Sequence, residues 1–401
     1  FARRHVQFAR ARSQASCTFP SVNSLFTARA PGLFYDPATR PGIPPEMPTL
    51  AEHLAARGYR TAAVSASPIV RKTPSRFNPR GGFGAGFETF DEHCQWMPAT
   101  CVSDRALDVL RAPADGPRFT YLHYMDPHDP YRARATVRGM FAGVYDGPHD
   151  FIGKGDPNPI QGMIRDGTVD EVISAADLQY LKDRYDEEIR VVDFEIGRLF
   201  EHLETPDADG RRAIDRTLVI VTSDHGEAFL EHGTIKHCYG VRDEETRVPL
   251  ILAMPSLVRA PQTIEPYVQV ADIMPTVLDA LGFGDAVPSA SIGTSLLPLL
   301  RDPEQAAASV RYAFSAMSVH RSVSDAQHTL LYDLSRQHYT LIDHRRAVPA
   351  AIAPDEARRP YRRLEGAMAH WLAVNDEEGA SAATERADEI EEELRALGYL
   401  G

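Results

Sequence analysis

The chain has 401 residues, of which 43% are hydrophobic and 25% are charged, so it holds enough apolar material for a large buried core. Its formal net charge is −13, and no basic block or stripe interrupts the sequence, which argues against a nucleic-acid-binding protein. No apolar run approaches the roughly 20 residues that a helix needs to cross a bilayer. We therefore expect no transmembrane segment in this chain.

Helix and strand patterns alternate through the first three quarters of the chain. Thr49 and Glu52 form the sequence of a capping box, which predicts a helix that stops at Gly58. Strands are predicted at 61–66, 119–126, 217–222 and 248–254, and shorter helices from Ser103 and at 271–281. This alternation predicts an α/β fold, with a large mixed, mostly parallel sheet flanked by helices on both faces.

One long helix is predicted from about Ala175 to Glu204. Its apolar residues recur three and four positions apart and predict a single stripe that faces a sheet: Leu178, Leu181, Tyr185, Ile189, Val192, Ile196, Leu199 and Leu203.

The pattern changes after about residue 305. Short alternating segments at 310–315 and 328–334 predict an antiparallel sheet, and helices are predicted near 354–374 and 384–397. We therefore predict a larger domain at 1–304 and a smaller C-terminal α+β subdomain at 305–401. Long Gly- and Pro-rich loops at 30–48, 79–87, 142–160 and 283–294 are typical of segments that serve a site or a partner.

Four cysteines are present, and none belongs to a C-x-x-C pair, so a structural zinc site is not expected. Cys94 and Cys101 lie close together in the sequence. They either form a disulfide in an oxidising compartment or remain two free thiols.

The predicted strand at 217–222 runs directly into Ser223-Asp224-His225-Gly226-Glu227. In open α/β sheets, ligands bind beyond the carboxyl ends of the strands. A carboxylate beside an imidazole suits a hard or borderline cation. The alternative is a surface turn in which Asp224 caps a helix. Asp224 and His225 are therefore candidate metal ligands.

Two further loops carry polar groups. The loop after His225 brings His232, Lys236 and His237 back to a core strand, and these groups suit an anion or a metal. Upstream, residues 126–131 follow another predicted strand and contain the candidates Asp126, His128 and Asp129. The polar side chains of that loop coordinate a metal, contact a substrate or simply cap a turn.

Near the amino terminus, Thr18 stands two residues before Pro20 at the start of an apolar helix pattern. A hydroxyl in this place lies near the positive end of the helix, where free backbone N–H groups favour an oxyanion. Taken alone, the motif is typical of an ordinary helix N-cap.

Taken together and in this order, the motifs resemble the sulfatase family of the alkaline phosphatase superfamily. The resemblance runs over nearly the whole chain and includes Thr18-x-Pro-Ser, Arg57-Gly-Tyr-Arg-Thr, Leu122-His-Tyr-Met-Asp-Pro-His128, Tyr185-Asp-Glu-Glu-Ile, Ser223-Asp-His-Gly-Glu, Arg247-Val-Pro-Leu-Ile and Leu394-Arg-Ala-Leu-Gly-Tyr-Leu. It implies that residues 1–304 are a catalytic domain.

The resemblance implies a role for each candidate residue. Asp224 and His225 would bind a divalent metal, and Thr18 would be the nucleophile with its oxygen on that metal. The substrate's anionic oxygens or leaving group would contact His128 and either of two adjacent residues, Lys236 or His237. Family resemblance favours Ca²⁺, with Mg²⁺, Mn²⁺ or Zn²⁺ as alternatives.

Substrate and location follow from the same resemblance. It implies a small-molecule, carbohydrate or lipid ester of sulfate or phosphate as the substrate, and a periplasmic or secreted protein.

The sequence departs from the family pattern in two places. Sulfatases that hydrolyse sulfate esters usually carry a Cys or Ser, oxidised to formylglycine, where this chain has Thr18, and an Arg where it has Val22. Cys17 is one residue out of register, so no formylglycine is expected. The family's first metal ligands lie on an acidic strand before the nucleophile, and we expect that strand to be missing from this chain, which leaves the activity of the chain by itself open.

Three functions are consistent with these motifs. The first is a metal-dependent hydrolase that forms a covalent ester on Thr18. The second is a phosphoethanolamine-type phosphoryl transferase that uses the same Thr, and the third is a catalytically impaired anion-binding fragment. The mechanism through Thr18 requires its Oγ within about 8 Å of the Asp224 carboxylate, the reach of one ion with ligand bonds of about 2.0–2.6 Å.

Overall fold

The computed structural model describes residues 2–33, 43, 47–78, 81–96, 98–113, 115–132, 134–254, 261–302, 311–346 and 350–375. The helix predicted at 384–397 lies outside these residues. The strands are β1 Val6–Phe8, β2 Ala11–Arg12, β3 Arg60–Ser65, β4 Thr89–Asp91, β5 Arg118–His123, β6 Val219–Thr222, β7 Ala228–Phe229, β8 Ile235–Lys236, β9 Arg247–Val248, β10 Leu250–Ala253, β11 Gln262–Ile264, β12 Val268–Gln269, β13 Ala313–Met317, β14 His320–Ser324, β15 His328–Asp333, β16 His338–Asp343 and β17 Ala350–Ile352. The helices are α1 Thr18–Thr27, α2 Leu50–Ala55, α3 Ala99–Arg111, α4 Asp150–Gly153, α5 Asn158–Asp166, α6 Val169–Val172, α7 Ala175–Glu204, α8 Asp243–Thr246, α9 Ile273–Ala280, α10 Leu297–Arg301 and α11 Arg358–Asn375.

The strands that precede residue 304 form several hydrogen-bonded sheets. One is parallel, in the order β4-β3-β5, and another is mixed, in the order β11-β1-β10-β6. Successive side chains of a strand point to opposite faces. Accordingly, Ala63 packs in the cluster that contains Phe26 of α1, whereas Val64 packs with Val102 of α3. Helices therefore cover both faces, and the predicted α/β fold is confirmed.

Strands β5 and β6 are each an edge strand of their sheet, and every residue of both is partly exposed. Tyr121 and Ile220 pack against the same core cluster, so the two strands belong to one layer. Leu122 and Val221 point the other way and pack beside residues of α7. The carboxyl ends of these two strands lead into the loops that carry the candidate site.

The long helix α7 matches its predicted bounds, but its predicted stripe is only partly buried. Leu181, Leu199 and Leu203 are buried, whereas Ile189 is 43% exposed. Charged side chains of α7 are buried instead, because they hold neighbouring loops through backbone hydrogen bonds.

The C-terminal part contains the expected antiparallel sheet, in the order β13-β14-β15-β16-β17. Helix α11 packs on it through Leu364 and Trp371. The edge strand β13 also joins the amino-terminal segment, since the N–H of Ala316 donates to the carbonyl of Gln14 at 2.8 Å. The division into domains at residue 304 stays a prediction.

All four cysteines lie in disulfides. Cys94 bonds to Cys101, which settles the choice between a bridge and free thiols. Cys17 bonds to Cys238, a pairing that the sequence did not indicate. In the part of the chain that the structure describes, no helix is both long and apolar enough to cross a membrane.

Candidate active site

Thr18 is the first residue of α1, and its side chain points towards His225 in the loop after β6. Its Oγ1 lies 3.1 Å from Nε2 of His225, 207 positions later in the chain. The N-cap residue of α1 is Cys17, which makes no side-chain capping bond. The ordinary interpretation of the motif as a Thr N-cap is therefore wrong, and the hydroxyl is available for chemistry.

Asp224 and His225 follow β6, as expected. The hydroxyls of Ser13 and Ser21 both donate to the backbone carbonyl of Asp224, which fixes the turn against the start of α1. Nδ1 of His225 lies 2.9 Å from the carbonyl of Gly226, so Nδ1 carries the proton and Nε2 presents its lone pair to Thr18. This is the arrangement in which a histidine binds a metal through Nε2.

The Asp224 carboxylate belongs to the same group of atoms. Its Oδ2 lies 3.6 Å from Nε2 of His225, and its side chain is 20% exposed. Burial would raise the pKa of Asp224, but the nearby imidazoles of His225 and His123 lower it below its ordinary value. The carboxylate is therefore ionised at neutral pH.

Thr18 Oγ1 lies 3.1 Å and Asp224 Oδ2 lies 3.6 Å from the same atom, Nε2 of His225. The two oxygens are therefore less than the expected limit of about 8 Å apart. An anionic oxygen, an imidazole nitrogen and a hydroxyl are suitable donors for a divalent cation. Among the described residues, no group of three His, Cys, Asp or Glu side chains could hold a metal by itself. These donors therefore fit part of a coordination shell.

His237 and Lys236 are adjacent but occupy different places. The His237 ring lies 4.4 Å from the His225 ring and 5.2 Å from the His128 ring, measured between centroids. Lys236 Nζ instead lies 3.2 Å from Asp129 Oδ1. His237 is thus in the inner group of the site, and Lys236 reaches it through an acidic neighbour.

The backbone around His237 is held in an unusual conformation. Lys236 has φ 71° and Cys238 has φ 76°, in the left-handed region that costs side-chain-bearing residues about 1–3 kcal/mol. The Cys17–Cys238 disulfide and the hydrogen bond from Cys238 N to the Ser16 carbonyl hold this loop against the start of α1. Tertiary contacts therefore place His237 near Thr18.

In the loop after β5, Asp126 and His128 have different structural roles. Asp126 accepts a hydrogen bond from the N–H of Ala99 at 2.7 Å and so caps α3. His128 faces the site, and its Nδ1 lies 2.8 Å from the carbonyl of Asp129. Burial lowers the pKa of both His128 and His237, so both rings are neutral at pH 7 in the free protein.

Sequence reasoning missed three residues of this site. Asn158 donates to Asp129 Oδ2 at 2.9 Å and accepts from Lys236 Nζ at 2.7 Å. Glu227 lies 3.1 Å from Nδ1 of His237, and burial raises the pKa of Glu227 to about 7. Position beyond a strand end could have identified Glu227, whereas nothing local distinguishes Asn158.

The other missed residue is His123. His123 ends β5, and its Nδ1 lies 2.8 Å from the Tyr121 hydroxyl. It is close enough to Asp224 that it lowers the pKa of that carboxyl group. In contrast, the predicted candidate His232 pairs with Glu244 at 2.7 Å and lies outside the site.

Comparison with known proteins gives the family. The sulfatase family model matches residues 1–283 of this chain. The chain therefore belongs to the sulfatase family, as its motifs predicted.

Two curated relatives match part of the chain. The multifunctional alkaline phosphatase superfamily protein PehA of Trinickia caryophylli is 28% identical over 225 residues, which cover 52% of this chain and 42% of PehA. An N-acetylglucosamine-6-O-sulfatase of Bacteroides thetaiotaomicron is 32% identical over 166 residues, covering 41% of this chain and 28% of the relative. The matched region thus spans less than half of either relative.

Solved structures share the fold over nearly the whole chain. The phosphonate monoester hydrolase SpPMH from Silicibacter pomeroyi superposes with a TM-score of 0.72 at 20% identity. The superposition covers 94% of this chain and 90% of the SpPMH chain. BT4656, solved in complex with its substrate D-glucosamine-2-N,6-O-disulfate, superposes with a TM-score of 0.69 at 18% identity. The superposition covers 94% of this chain and 93% of the BT4656 chain. At this level of identity the likeness concerns the fold.

Proposed function

We propose that the protein is a metal-dependent hydrolase of sulfate or phosphate esters that forms a covalent ester on Thr18. The observation that carries this proposal is the contact of 3.1 Å between Thr18 Oγ1 and His225 Nε2, beside the Asp224 carboxylate. Family membership and the relatives PehA and the N-acetylglucosamine-6-O-sulfatase support ester hydrolysis.

The residues that would hold the cation are Asp224, His225 and Thr18. When bound, a divalent cation stabilises negative charge on a coordinated oxygen and so makes a hydroxyl a better nucleophile. Ca²⁺ is favoured by the family resemblance. The free N–H groups at the start of α1 and the Lys236 ammonium group would stabilise charge on the equatorial oxygens of the ester.

Thr18 would release its hydroxyl proton to solvent, and its Oγ would form the new bond to sulfur or phosphorus while the bond to the leaving oxygen breaks. His237 or His128 gives the leaving oxygen a proton. Both rings are neutral in the free protein, but a bound anionic ester raises their pKa values again, because opposite charge favours the imidazolium form. Water then cleaves the Thr18 ester and releases sulfate or phosphate.

The chemistry of Thr18 bears on the type of ester. A Thr ester cannot expel sulfate by collapse to an aldehyde, as a formylglycine hydrate can, so water must attack the sulfur or phosphorus. We infer that phosphate esters are at least as suitable as sulfate esters. A transferase with the same intermediate would give more product with an acceptor alcohol than with water.

The two disulfides support a periplasmic or secreted location, because disulfides persist in oxidising compartments.

The test is capture of the intermediate. The complete protein is incubated with Ca²⁺, Mg²⁺, Mn²⁺ or Zn²⁺ and with 4-nitrophenyl phosphate, bis(4-nitrophenyl) phosphate or 4-nitrophenyl sulfate, and is quenched in acid. We expect metal-dependent release of 4-nitrophenol and a phosphoryl or sulfuryl group on the peptide that contains Thr18. Thr18→Ala should lose both, with turnover reduced by at least about 1,000-fold.

The matched control is Thr205→Ala, at an exposed hydroxyl beyond the end of α7. Thr18→Ser keeps the hydroxyl and should retain the covalent intermediate. Turnover by Thr18→Ala equal to that of the unchanged protein would rule out Thr18 as the nucleophile. Absence of turnover with every metal and ester would contradict the hydrolase proposal.

A further inference from the structure

The Cys17–Cys238 disulfide lies directly beside the candidate site. Cys17 precedes the proposed nucleophile Thr18, and Cys238 follows His237, so the disulfide joins the two segments that carry these side chains. Both of its cysteines are partly exposed, whereas Cys94 of the other disulfide is completely buried. A dissolved reductant therefore reaches both ends of this disulfide more readily than both ends of the other.

The backbone on either side of His237 depends on this disulfide. Lys236 and Cys238 have φ values of 71° and 76°, a region that residues with side chains adopt where surrounding contacts enforce it. Cys238 is fixed by the disulfide and by the hydrogen bond from its N–H to the carbonyl of Ser16 at 2.8 Å. When the disulfide is broken, that hydrogen bond alone opposes a return to an ordinary backbone conformation.

The residues beyond this short stretch are held without the disulfide. Lys236 pairs with Ala228 in the β7–β8 hairpin, and the carboxylate of Glu245 accepts from the N–H of Tyr239 at 3.0 Å and of Gly240 at 3.1 Å. The change on breaking the disulfide is therefore confined to the neighbourhood of His237.

A local shift is sufficient to affect the site. The His237 ring lies 4.4 Å from the ring of His225, whose Nε2 lies 3.1 Å from Thr18 Oγ1. A misplacement of about 1 Å in such a group can lower a rate about 100-fold. Activity therefore depends on whether the disulfide is closed.

We propose that the Cys17–Cys238 disulfide is a redox switch of the active site, closed in the active protein and opened by a dithiol reductant. The proposal rests on the proposed hydrolase function and adds a control to it. One thiolate of the dithiol attacks a sulfur of the disulfide, the bond between the two cysteines breaks, and a mixed disulfide forms. The second thiolate displaces the cysteine, and the reductant leaves as a cyclic disulfide. Two electrons and two protons thus pass from the dithiol to Cys17 and Cys238, which become thiols.

The first test follows the disulfide and the activity together. The complete protein is treated with reduced dithiothreitol without air and desalted, and the metals and 4-nitrophenyl esters used to test the hydrolase are then added. Parallel samples are alkylated with iodoacetamide, and mass spectrometry gives the reduced fraction of each cysteine. We expect kcat/KM to fall about 10- to 100-fold as Cys17 and Cys238 become reduced. The far-UV circular dichroism should stay the same, and oxidised dithiothreitol should restore turnover.

The matched control is Cys94→Ser/Cys101→Ser, which removes the other disulfide and should respond to dithiothreitol as the unchanged protein does. Cys17→Ser/Cys238→Ser should have the low activity of the reduced protein and should not respond. Full turnover with Cys17 and Cys238 reduced would overturn the switch. So would a loss that follows reduction of Cys94 and Cys101, one that oxidised dithiothreitol does not reverse, or one accompanied by loss of the circular dichroism signal.

The second test needs no turnover. Hydrogen exchange of the amides at 234–241 is compared between the oxidised protein and the protein reduced under native conditions. We expect exchange there to be at least about tenfold faster after reduction, with no change in β6. Equal exchange rates at 234–241 would overturn the switch. If the oxidised protein hydrolyses none of the esters, the hydrolase proposal fails, and hydrogen exchange decides separately whether the disulfide holds the loop of His237.

Discussion

His237 and Lys236 show how one position along the chain changes a residue's role. His237 lies in the inner group, beside the rings of His225 and His128. Lys236 contacts Asp129 and Asn158, so its charge reaches the site from one layer further out. Their adjacency in sequence hides this difference.

We therefore expect unequal effects of removing these two side chains. His237→Asn should lower kcat/KM by about 100- to 1,000-fold, because in the proposed mechanism it removes a group that contacts the substrate's charge or leaving oxygen. Lys236→Gln should lower kcat/KM by about tenfold, because Asn158 and Asp129 remain in place. Steady-state kinetics on 4-nitrophenyl esters measures both effects.

The control for these variants is His370→Asn, at an exposed histidine of α11. It should leave kcat/KM unchanged. A larger loss from Lys236→Gln than from His237→Asn would reverse the assignment of the two residues.

At the scale of elements, helix α7 works as a support for the loop that carries His128. The carboxylate of Glu187 accepts from the N–H of Gly139 at 2.7 Å and of Ala142 at 3.2 Å. Glu188 accepts from the N–H of Arg132. Both glutamates are buried, at 0% and 3% exposure, so their backbone hydrogen bonds offset the cost of burying them.

Glu188 should make stability depend on pH. Burial, with nearby Asp126, raises its pKa from 4.5 to about 8. Below pH 4.5 it is protonated in both the folded and the unfolded protein. As pH rises from about 4.5 to 8, the unfolded chain releases this proton and the folded protein keeps it, so the free energy of unfolding falls through this window.

We expect Glu188→Gln to remove this part of the pH dependence. Its amide oxygen can still accept from Arg132, and it has no proton to lose. The free energy of unfolding of the variant should decline less between pH 5 and 9, by about 4 kcal/mol. Urea unfolding at several pH values measures this difference. Glu201→Gln, on the exposed face of the same helix, should follow the unchanged protein. Parallel pH profiles for Glu188→Gln and the unchanged protein would refute the prediction.

For the whole molecule, the Cys17–Cys238 disulfide joins the start of α1 to the loop of His237. It spans 221 positions, whereas Cys94–Cys101 spans 7. A longer loop loses more unfolded-state entropy when it is closed. The first disulfide should therefore contribute more to stability and, unlike the second, keep Thr18 beside His225 and His237.

We expect the double variant Cys17→Ser/Cys238→Ser to lose about 5 kcal/mol of unfolding free energy, and Cys94→Ser/Cys101→Ser about 2 kcal/mol. Chemical denaturation under non-reducing conditions compares them. Equal losses, or a larger loss from the shorter loop, would contradict the chain-entropy argument.

The candidate site was predictable in part because its strongest signals are local. The strand before Asp224, the helix start at Thr18 and the polar loop at His128 are each written in short segments of sequence. Asn158, which lies 78 positions from Lys236, had no such signal. The buried charges of α7 also escaped prediction, since periodicity assigns charged residues to the exposed face.

The sequence by itself determined the alternating elements, the bounds of α7, the antiparallel C-terminal sheet and the family, because these depend on periodicity and on the order of motifs. Tertiary structure alone decided that Asp126 caps α3 while His128 faces the site. It also decided that His237 lies closer to the centre of the site than Lys236 does, and that Cys17 bonds to Cys238. The physical reason is that each of these outcomes depends on a contact between segments that are distant in the sequence. The residues around each contact do not indicate which distant residue will be the partner.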